Sequence, residues 1–473
     1  MYGTLPRTCL YTTMRALAPL LVTAMVGFLL SSSAYAWSYK EAAAPYKGIT
    51  IRVLDEVTPL QETMKSLVPE FEKETGIKIE YELLNHFDVI SKGQADMLSG
   101  RGHYDAVMLH SFQMGPLLDA GAVIDINGLL SNGKLTNPAL ALDDLIEPPN
   151  SSTTKYKGKQ YGFLNWNYNH VYWARNDLLS HAGEKSAFKA KYGYDLAPAK
   201  TMQQMRDIAE FFTRKKGAKL AGATLQSDFY GIVMEGIKGG TTFPGVWFNF
   251  LTNWGGGLLD AQGAPAFDTP ENVAALRFWG DLWKYSPPGQ GEYSLIDVPT
   301  VMGNGIAAQT IAWSDFVWGI DAPGKSALHG KFVYGNIPRN EDFDGPMTTA
   351  GEPSVIVISK ASKKAEAVYL FMQWMVDRAT QEKLLNAGGG GVPIRNSSWD
   401  LPVMNSPAVA SLAAAMRDSM KGSHGKPKMP NFFEVYDEMA SIVQQIGLGQ
   451  ITPEEGVKIG QKKLLKICKK CLL

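Results

Sequence analysis

Strand patterns alternate with helix patterns along this chain, and that alternation restricts the fold more than any other feature of the sequence. Alternating apolar residues at 48–53 predict a strand, and Thr58, three residues before Gln61, predicts a helix that begins with a capping box. Gly76 predicts the end of that helix, and residues 77–83 predict a second strand. A strand–helix–strand unit of this kind is typical of an α/β protein with a mainly parallel sheet.

The same alternation continues toward the carboxyl terminus. Thr269 and Thr452 are each followed by Pro and Glu, a pattern that predicts the start of a helix. No internal repeat of about 20 to 50 residues is evident, which argues against solenoids and propellers. The further elements that we predict are strands at 104–109, 303–308 and 355–358 and a helix at 364–385.

The amino terminus has the pattern of a secretory signal peptide. Arg7 and Arg15 precede an apolar stretch at 16–30, and residues 34–36 form a small-x-small cleavage pattern. The apolar stretch would extend over only about 22 Å as a helix, short of the ~30 Å hydrocarbon core of a membrane. We therefore expect residues 1–36 to be removed and the mature protein to begin near Trp37, in the periplasm of a Gram-negative cell.

Charge and cysteine content exclude several classes of protein. Lys plus Arg and Asp plus Glu each total 46, so the formal net charge is zero and nucleic acid is not an expected partner. Three cysteines, Cys9, Cys468 and Cys471, are too few for a disulfide framework, although the last two are spaced for a local disulfide. No cysteine has metal-site spacing to a histidine and no Walker A or H-E-x-x-H motif occurs, so we expect no metal and no cofactor.

Nine short motifs in a fixed order carry a resemblance that extends over almost all of the mature chain. Together they resemble the family 1 extracellular solute-binding proteins, which are soluble receptors that deliver sugars and related solutes to ABC importers. The motifs are 71–78 (FEKETGIK), 104–107 (YDAV), 118–121 (LDAG), 161–163 (YGF), 172–178 (YWARNDL), 254–257 (WGGG), 269–272 (TPEN), 303–308 (GNGIAA) and 390–395 (GGVPIR).

The resemblance implies a two-lobed α/β fold, the type II periplasmic binding protein fold, with the ligand in a cleft between the lobes. The resemblance implies that the chain crosses between the lobes near 162–165, 350–354 and 388–391. We expect the first lobe to contain residues 37–163 and 354–388, and the second to contain 164–353 and 389–473. The resemblance also implies a monomer that captures a sugar or polyol by hinge closure and delivers it to membrane permease subunits. In that case the protein is a receptor and not an enzyme.

The chemistry of a neutral sugar indicates which residues are candidate ligand contacts. Its hydroxyls need hydrogen bonds once water is expelled, and its C–H faces lie flat on aromatic rings. In α/β sheets such groups follow the carboxyl ends of strands. The candidates are Asp55, Glu56, His110, Ser111, Gln113, Trp166, Asn167, Asn169, Trp254, Trp313, Asp315, Gly351, Glu352 and Arg395.

Structural roles compete with binding at several of these positions. Trp254 could pack behind the glycines that follow it, and Glu352 or Arg395 could form a salt bridge between the lobes. Relatives often carry tryptophan near the positions where this chain has Asp55, Glu56 and Glu352, which points to a small or polar solute.

Two other functions stay open. Acidic side chains beside tryptophans would also suit a polyamine, so a polyamine receptor is the alternative within the same class. A periplasmic carbohydrate-active enzyme would use a pair of carboxylates beside aromatic rings.

Overall fold

The computed structural model describes residues 37–238, 245–321, 324, 326–346, 348–387, 392–407 and 409–473. The predicted signal peptide at 1–36 and the predicted lobe crossing at 388–391 lie outside these residues. Within the described ranges, none of the helices combines the length and the apolar character that a membrane span requires.

Two sheets organise the chain. The first has the strand order β2-β1-β3-β13-β6 and the second the order β10-β7-β11. The strands are β1 Thr50–Glu56, β2 Lys78–Leu84, β3 Ala106–His110, β4 Lys155–Tyr156, β5 Lys159–Gln160, β6 Gly162–Trp166, β7 His170–Arg175, β8 Lys219–Leu220, β9 Ala223–Thr224, β10 Gln309–Trp313, β11 Phe332–Gly335, β12 Thr349–Ala350, β13 Ser354–Ile358 and β14 Ser423–His424.

Helices pack around both sheets. In order they are α1 Tyr39–Ala42, α2 Pro59–Thr75, α3 His86–Ser99, α4 Met114–Asp119, α5 Asn127–Leu130, α6 Pro149–Thr154, α7 Asn176–Leu179, α8 Ala182–Tyr192, α9 Met202–Phe212, α10 Gly245–Asn253, α11 Pro270–Leu282, α12 Asp297–Gly303, α13 Val317–Ile320, α14 Ala365–Val376, α15 Arg378–Asn386, α16 Ala410–Ser419, α17 Phe432–Gly447 and α18 Pro453–Ile467. Cys468 and Cys471, directly after α18, form the predicted local disulfide.

The first strand–helix–strand unit forms as predicted. Thr58 caps α2 by accepting a hydrogen bond from the Gln61 backbone N–H, and Gly76 ends the helix at a φ of 74°, which glycine adopts without strain. The predicted capping box is incomplete, because the Gln61 side chain accepts a hydrogen bond from the Tyr81 hydroxyl instead. The capping box predicted at Thr452 is present at the start of α18.

The expectation of a mainly parallel sheet is only partly right. Strand β1 is parallel to both β2 and β3, but β13 is antiparallel to β3 and to β6. The second sheet is antiparallel throughout. The direction of a strand in a sheet depends on how the chain returns to that sheet. Strand β13 joins the sheet almost 250 residues after β3, so local sequence patterns do not predict its direction.

Two predicted elements near the carboxyl half are wrong in their bounds. The predicted helix at 364–385 is divided at Asp377, whose extended backbone ends α14 and whose side chain caps α15 by accepting from the Ala379 N–H. The predicted strand at 303–308 is a helix end and a turn, with Gly305 at a φ of 68°. The strand β10 follows it and extends to Trp313.

The chain passes from the first sheet to the second between β6 and β7. Asn167 forms a β-bridge with Val392, and Asn169 forms one with Gly351. Strand β6 extends to Trp166, so the chain leaves the first sheet after the predicted crossing at 162–165. The lobe boundaries given above stay predictions.

Candidate solute-binding cavity

A cavity of about 160 Å³ lies between the two sheets. Its lining includes the last residues of β1, β6 and β10, so both sheets contribute strand ends to it, as α/β proteins commonly do at ligand sites. The lining residues are Glu56, Thr58, His86, Phe112, Trp166, Tyr168, Leu295, Trp313, Asp315, Phe316 and Glu352.

Aromatic rings form a continuous wall of this cavity. The ring centroids of Trp166 and Tyr168 are 4.5 Å apart, and those of Tyr168 and Trp313 are 5.3 Å apart. Behind Trp313 the His170 ring lies at 3.7 Å and is tilted by 32°. The wall therefore joins the end of β6, through the crossing segment, to the end of β10.

Glu56 is a cavity carboxylate held by two histidines. Its Oε2 lies 2.9 Å from His110 Nε2, and its Oε1 lies 3.1 Å from His86 Nδ1. Burial alone would raise the pKa of Glu56, but the hydrogen bonds and charges of the two histidines lower it to about 2. His110 is in turn held by the Tyr168 hydroxyl, 2.8 Å from its Nδ1.

Glu352 is held from three sides where the chain passes between β12 and β13. It accepts hydrogen bonds from the Ser111 hydroxyl and from the Phe112 N–H, and it lies 3.4 Å from Lys426 Nζ. Lys426 is buried, donates to the Gly351 carbonyl at 3.3 Å and lies 5.8 Å from the centre of the Trp313 ring. A buried ammonium of this kind is stable because it is paired and hydrogen-bonded.

Two further carboxyl groups near the cavity, those of the partly buried Asp315 and the buried Glu235, have oxygens without hydrogen bonds in the described part of the chain. Asp315 Oδ1 and both oxygens of Glu235 lack a hydrogen-bond partner among the described residues. Burial raises the pKa of Asp315 to about 7, and the charge of Glu56 adds to the rise. Burial likewise raises the pKa of Glu235 to about 8, with a contribution from Asp315.

The structure brings some of the sequence-predicted contacts together at the cavity. Glu56, Trp166, Trp313, Asp315 and Glu352 line it, and they stay the predicted solute contacts.

Four other predicted contacts lie directly behind the lining. His110 and Ser111 hold Glu56 and Glu352 in place, as described above. Asp55 accepts hydrogen bonds from the Tyr81 hydroxyl and the Asn165 amide, and Gln113 accepts one from the His110 N–H. These side chains support the cavity instead of lining it.

The cavity lining does not include the remaining predicted contacts. The Asn167 and Asn169 amides donate to Met420 Sδ and to the Ser419 hydroxyl, which fixes the crossing segment against α16 and the residues after it. At Gly351 a Cβ would lie 2.2 Å from Ser423 Oγ, so this glycine permits close packing. Trp254 packs on Phe250 and Phe278, which agrees with a packing role and not with a solute contact.

Arg395, a predicted contact that does not line the cavity, has a structural position. Its guanidinium is fully buried and donates to the carbonyls of Val376, Leu140 and Ala141 at 2.7 to 3.0 Å. It also lies 3.3 Å from Asp144. The side chain thus connects its own segment to the residues at 140–144 and to the end of α14.

Several residues in or near the cavity are not among the predicted contacts. Tyr168 lines the cavity and is flanked by the predicted contacts Asn167 and Asn169. His86 follows the end of β2, the same kind of position that pointed to Glu56. Lys426 and Glu235 lie outside regular elements and are brought in by the fold, so no local pattern indicates them.

Comparisons with known proteins agree on one class. A family model described as bacterial extracellular solute-binding protein matches residues 55–382. The probable amino-acid ABC transporter periplasmic-binding protein y4oP of Sinorhizobium fredii is 25% identical over 457 residues, which are 93% of this chain and 95% of that protein. The erythritol/L-threitol-binding protein of Mycolicibacterium smegmatis is 23% identical over 75% of this chain and 72% of its own length.

A solved structure with the same fold is similar over nearly the whole described chain. It is an ABC transporter solute-binding protein from Agrobacterium radiobacter in complex with ribitol, with a TM-score of 0.74 and 24% identity over 89% of this chain and 99% of that one. The likeness confirms the predicted two-lobed α/β fold, and the family match confirms the resemblance drawn from the sequence.

Replacing Arg395 tests whether its side chain contributes to protein stability or to solute binding. Arg395→Ala leaves the carbonyls and Asp144 buried without their partner, so we expect the free energy of unfolding to fall by about 3–5 kcal/mol while solute affinity is retained. Chemical denaturation and calorimetry measure the two quantities. As control, Arg417→Ala breaks an exposed ion pair with Asp400 and should change stability by less than about 1 kcal/mol. Lost affinity at unchanged stability would contradict this assignment.

Glu235 should make stability fall as pH rises. Its ordinary pKa is 4.5, so between about pH 5 and pH 8 the native state keeps a proton that the unfolded chain has released. Protein stability then decreases with pH by up to about 1.4 kcal/mol per unit from this group.

Denaturation at about pH 5 and about pH 8 measures the effect. Asp315 acts in the same direction, so the readout is the difference between variants. Glu235→Gln keeps the shape of the neutral acid and should lose less stability across this range than the parent protein. Glu292→Gln, at an exposed position, serves as control, and equal slopes in all three proteins would contradict the burial argument.

Proposed function

The chain belongs to the bacterial extracellular solute-binding protein family, and from that premise we propose that it captures a small polyol or monosaccharide for an ABC importer. The single observation that carries the proposal is the aromatic wall of Trp166, Tyr168 and Trp313 in one small cavity with Glu56 and Glu352. Rings suit the C–H faces of such a solute, and carboxylates accept hydrogen bonds from its hydroxyls.

The size of the cavity supports a small solute. Its volume of about 160 Å³ is close to that of an engineered cavity of about 150 Å³ that accepts one benzene molecule. This is room for one sugar ring or for a chain of about four to six carbons. A disaccharide would need the lobes to open further. The relatives whose names mention erythritol, threitol and ribitol fit this range.

Capture by closure follows from the way the lining is divided. Glu56 and Trp166 belong to the first sheet, Trp313 to the second, and Tyr168 and Glu352 to the segments between them. A solute that contacts both sides favours the closed arrangement, because it binds that state more tightly than the open one. In our proposal the signal peptide directs the chain to the periplasm, where permease subunits recognise the closed, solute-bound monomer and the solute is released unchanged.

A cationic solute is the second candidate. The observation in its favour is a pair of carboxyl groups near the cavity, Asp315 and Glu235, with oxygens that lack a hydrogen-bond partner among the described residues. An ammonium group would supply the positive charge and the hydrogen-bond donors that these groups lack. A polyamine or an amino-substituted polyol has this chemistry.

A thermal-shift screen tests the proposal. We expect tetritols, pentitols, hexitols or monosaccharides to raise the melting temperature, because a ligand that binds only the native state stabilises it. Calorimetry should then show that Trp166→Ala and Trp313→Ala each weaken binding by about 1–3 kcal/mol through lost burial. Trp254→Ala, outside the cavity lining, is the matched control and should bind normally.

The outcomes of this screen are distinct. Stabilisation by putrescine or spermidine and by none of the neutral compounds would replace the proposed solute with the cationic one. Normal affinity in both cavity variants would contradict the assigned binding wall.

A further inference from the structure

Three potential metal ligands converge at one side of the cavity. Glu56 ends β1, His110 ends β3, and His86 is the first residue of α3, directly after β2. Because these three strands are parallel neighbours in the first sheet, their carboxyl ends meet. The carboxylate oxygens of Glu56 lie 2.9 Å from His110 Nε2 and 3.1 Å from His86 Nδ1, and the three ligand atoms lie within 4.8 Å of one another.

Two imidazole nitrogens and one carboxylate oxygen are a donor set of known chemistry. They match the ligands of open zinc sites, in which the protein supplies three positions and leaves a fourth to water or substrate. Bonds of about 2.0–2.1 Å in a tetrahedral site place neighbouring ligand atoms about 3.3 Å apart, close to the two separations seen here. The three ligand atoms lie within 4.8 Å of one another, so an ion would require the two histidine nitrogens to approach each other by at most about 1.5 Å.

The surroundings of His110 favour ligation. Its Nδ1 lies 2.8 Å from the Tyr168 hydroxyl, and its ring stacks on Phe112 with centroids 5.3 Å apart and planes inclined by 7°. A histidine that ligates through one nitrogen is usually held by a hydrogen bond at the other, which fixes the ring and its tautomer. His110 is fully buried, so this arrangement is rigid.

The cluster lies where an ion can enter from the cavity and balance a buried carboxylate. Glu56 and His86 line the cavity, and the His86 side chain is partly exposed, which provides an entry path. Glu352 is paired with Lys426, whereas the ion-pair partners of Glu56 among the described residues are histidines. A divalent cation would offset the charge of Glu56.

We propose that Glu56, His86 and His110 bind one divalent transition-metal ion of the zinc type, whose open coordination position faces the cavity and accepts a solute hydroxyl. The link to the solute rests on the proposed function, whereas the metal site itself does not. The proposal departs from the expectation from sequence that no metal binds, because histidines separated by 24 positions show no ligand spacing and meet only in the fold.

Titration with the metal alone tests the site. The purified full chain, stripped with a chelator and free of an affinity tag, is titrated with zinc chloride by calorimetry and with cobalt chloride by visible absorption. We expect one ion per chain and the absorption bands of a tetrahedral cobalt site. His86→Ala and Glu56→Gln should each weaken the affinity more than about tenfold.

His103→Ala is the matched control, because this histidine is exposed and precedes the amino end of β3, whereas the cluster lies at the carboxyl ends of the strands. It should bind metal as the parent protein does. Thermal unfolding of each variant establishes that it is folded, and the partly exposed position of His86 makes His86→Ala the variant least affected by lost packing. Absence of stoichiometric binding, or equal affinity in all variants, would overturn the metal site.

Solute titrations with and without the metal test the second half of the proposal. We expect zinc to strengthen solute binding at least about tenfold and the chelator to reverse the effect. Solute binding that is unchanged by the chelator would overturn the link between metal and solute and leave the proposed function intact. Stoichiometric metal binding without any binding of solutes would instead contradict the proposed function and leave the metal site standing.

Discussion

The three-residue passage between β6 and β7 is the constraint on which the cavity depends. Its register is fixed on both sides, because Asn167 forms a β-bridge with Val392 and Asn169 forms one with Gly351. The Ser314 N–H also donates to the Asn169 carbonyl at 2.9 Å, which fixes the turn after β10 to the same segment. A shift of one residue would turn every alternate side chain to the opposite face and move Trp166 and Tyr168 out of the aromatic wall.

Charge distribution then separates the groups that support the cavity from those available to a ligand. Glu56 is buried beside two histidines, and Glu352 is buried beside Lys426. Asp315 and Glu235 have carboxyl oxygens that lack a hydrogen-bond partner among the described residues, and burial raises their pKa values. Uncompensated polar groups lower stability in proportion to their desolvation, and they are common at sites where a ligand supplies the missing contacts.

Local patterns in the sequence were sufficient for the elements whose ends are set by local chemistry. Thr58 and Gly76 define α2, and the strand-end positions of Glu56 and Trp313 pointed to the cavity. Contacts made across the fold were not predictable in this way. The division of the helix at Asp377 breaks an apolar pattern that continues on both sides, and the carbonyl partners of Arg395 come from distant segments. The meeting of Glu56 with two histidines likewise requires the strand order, which no single segment encodes.

A crystal structure of the protein grown with the solute that stabilises it most in the screen is the most direct test of the central claim. The account predicts one small solute between Trp166 and Trp313, with its hydroxyls within hydrogen-bond distance of Glu56 and Glu352. A solute bound elsewhere on the chain, with the space between the two tryptophans filled only by water, would contradict it.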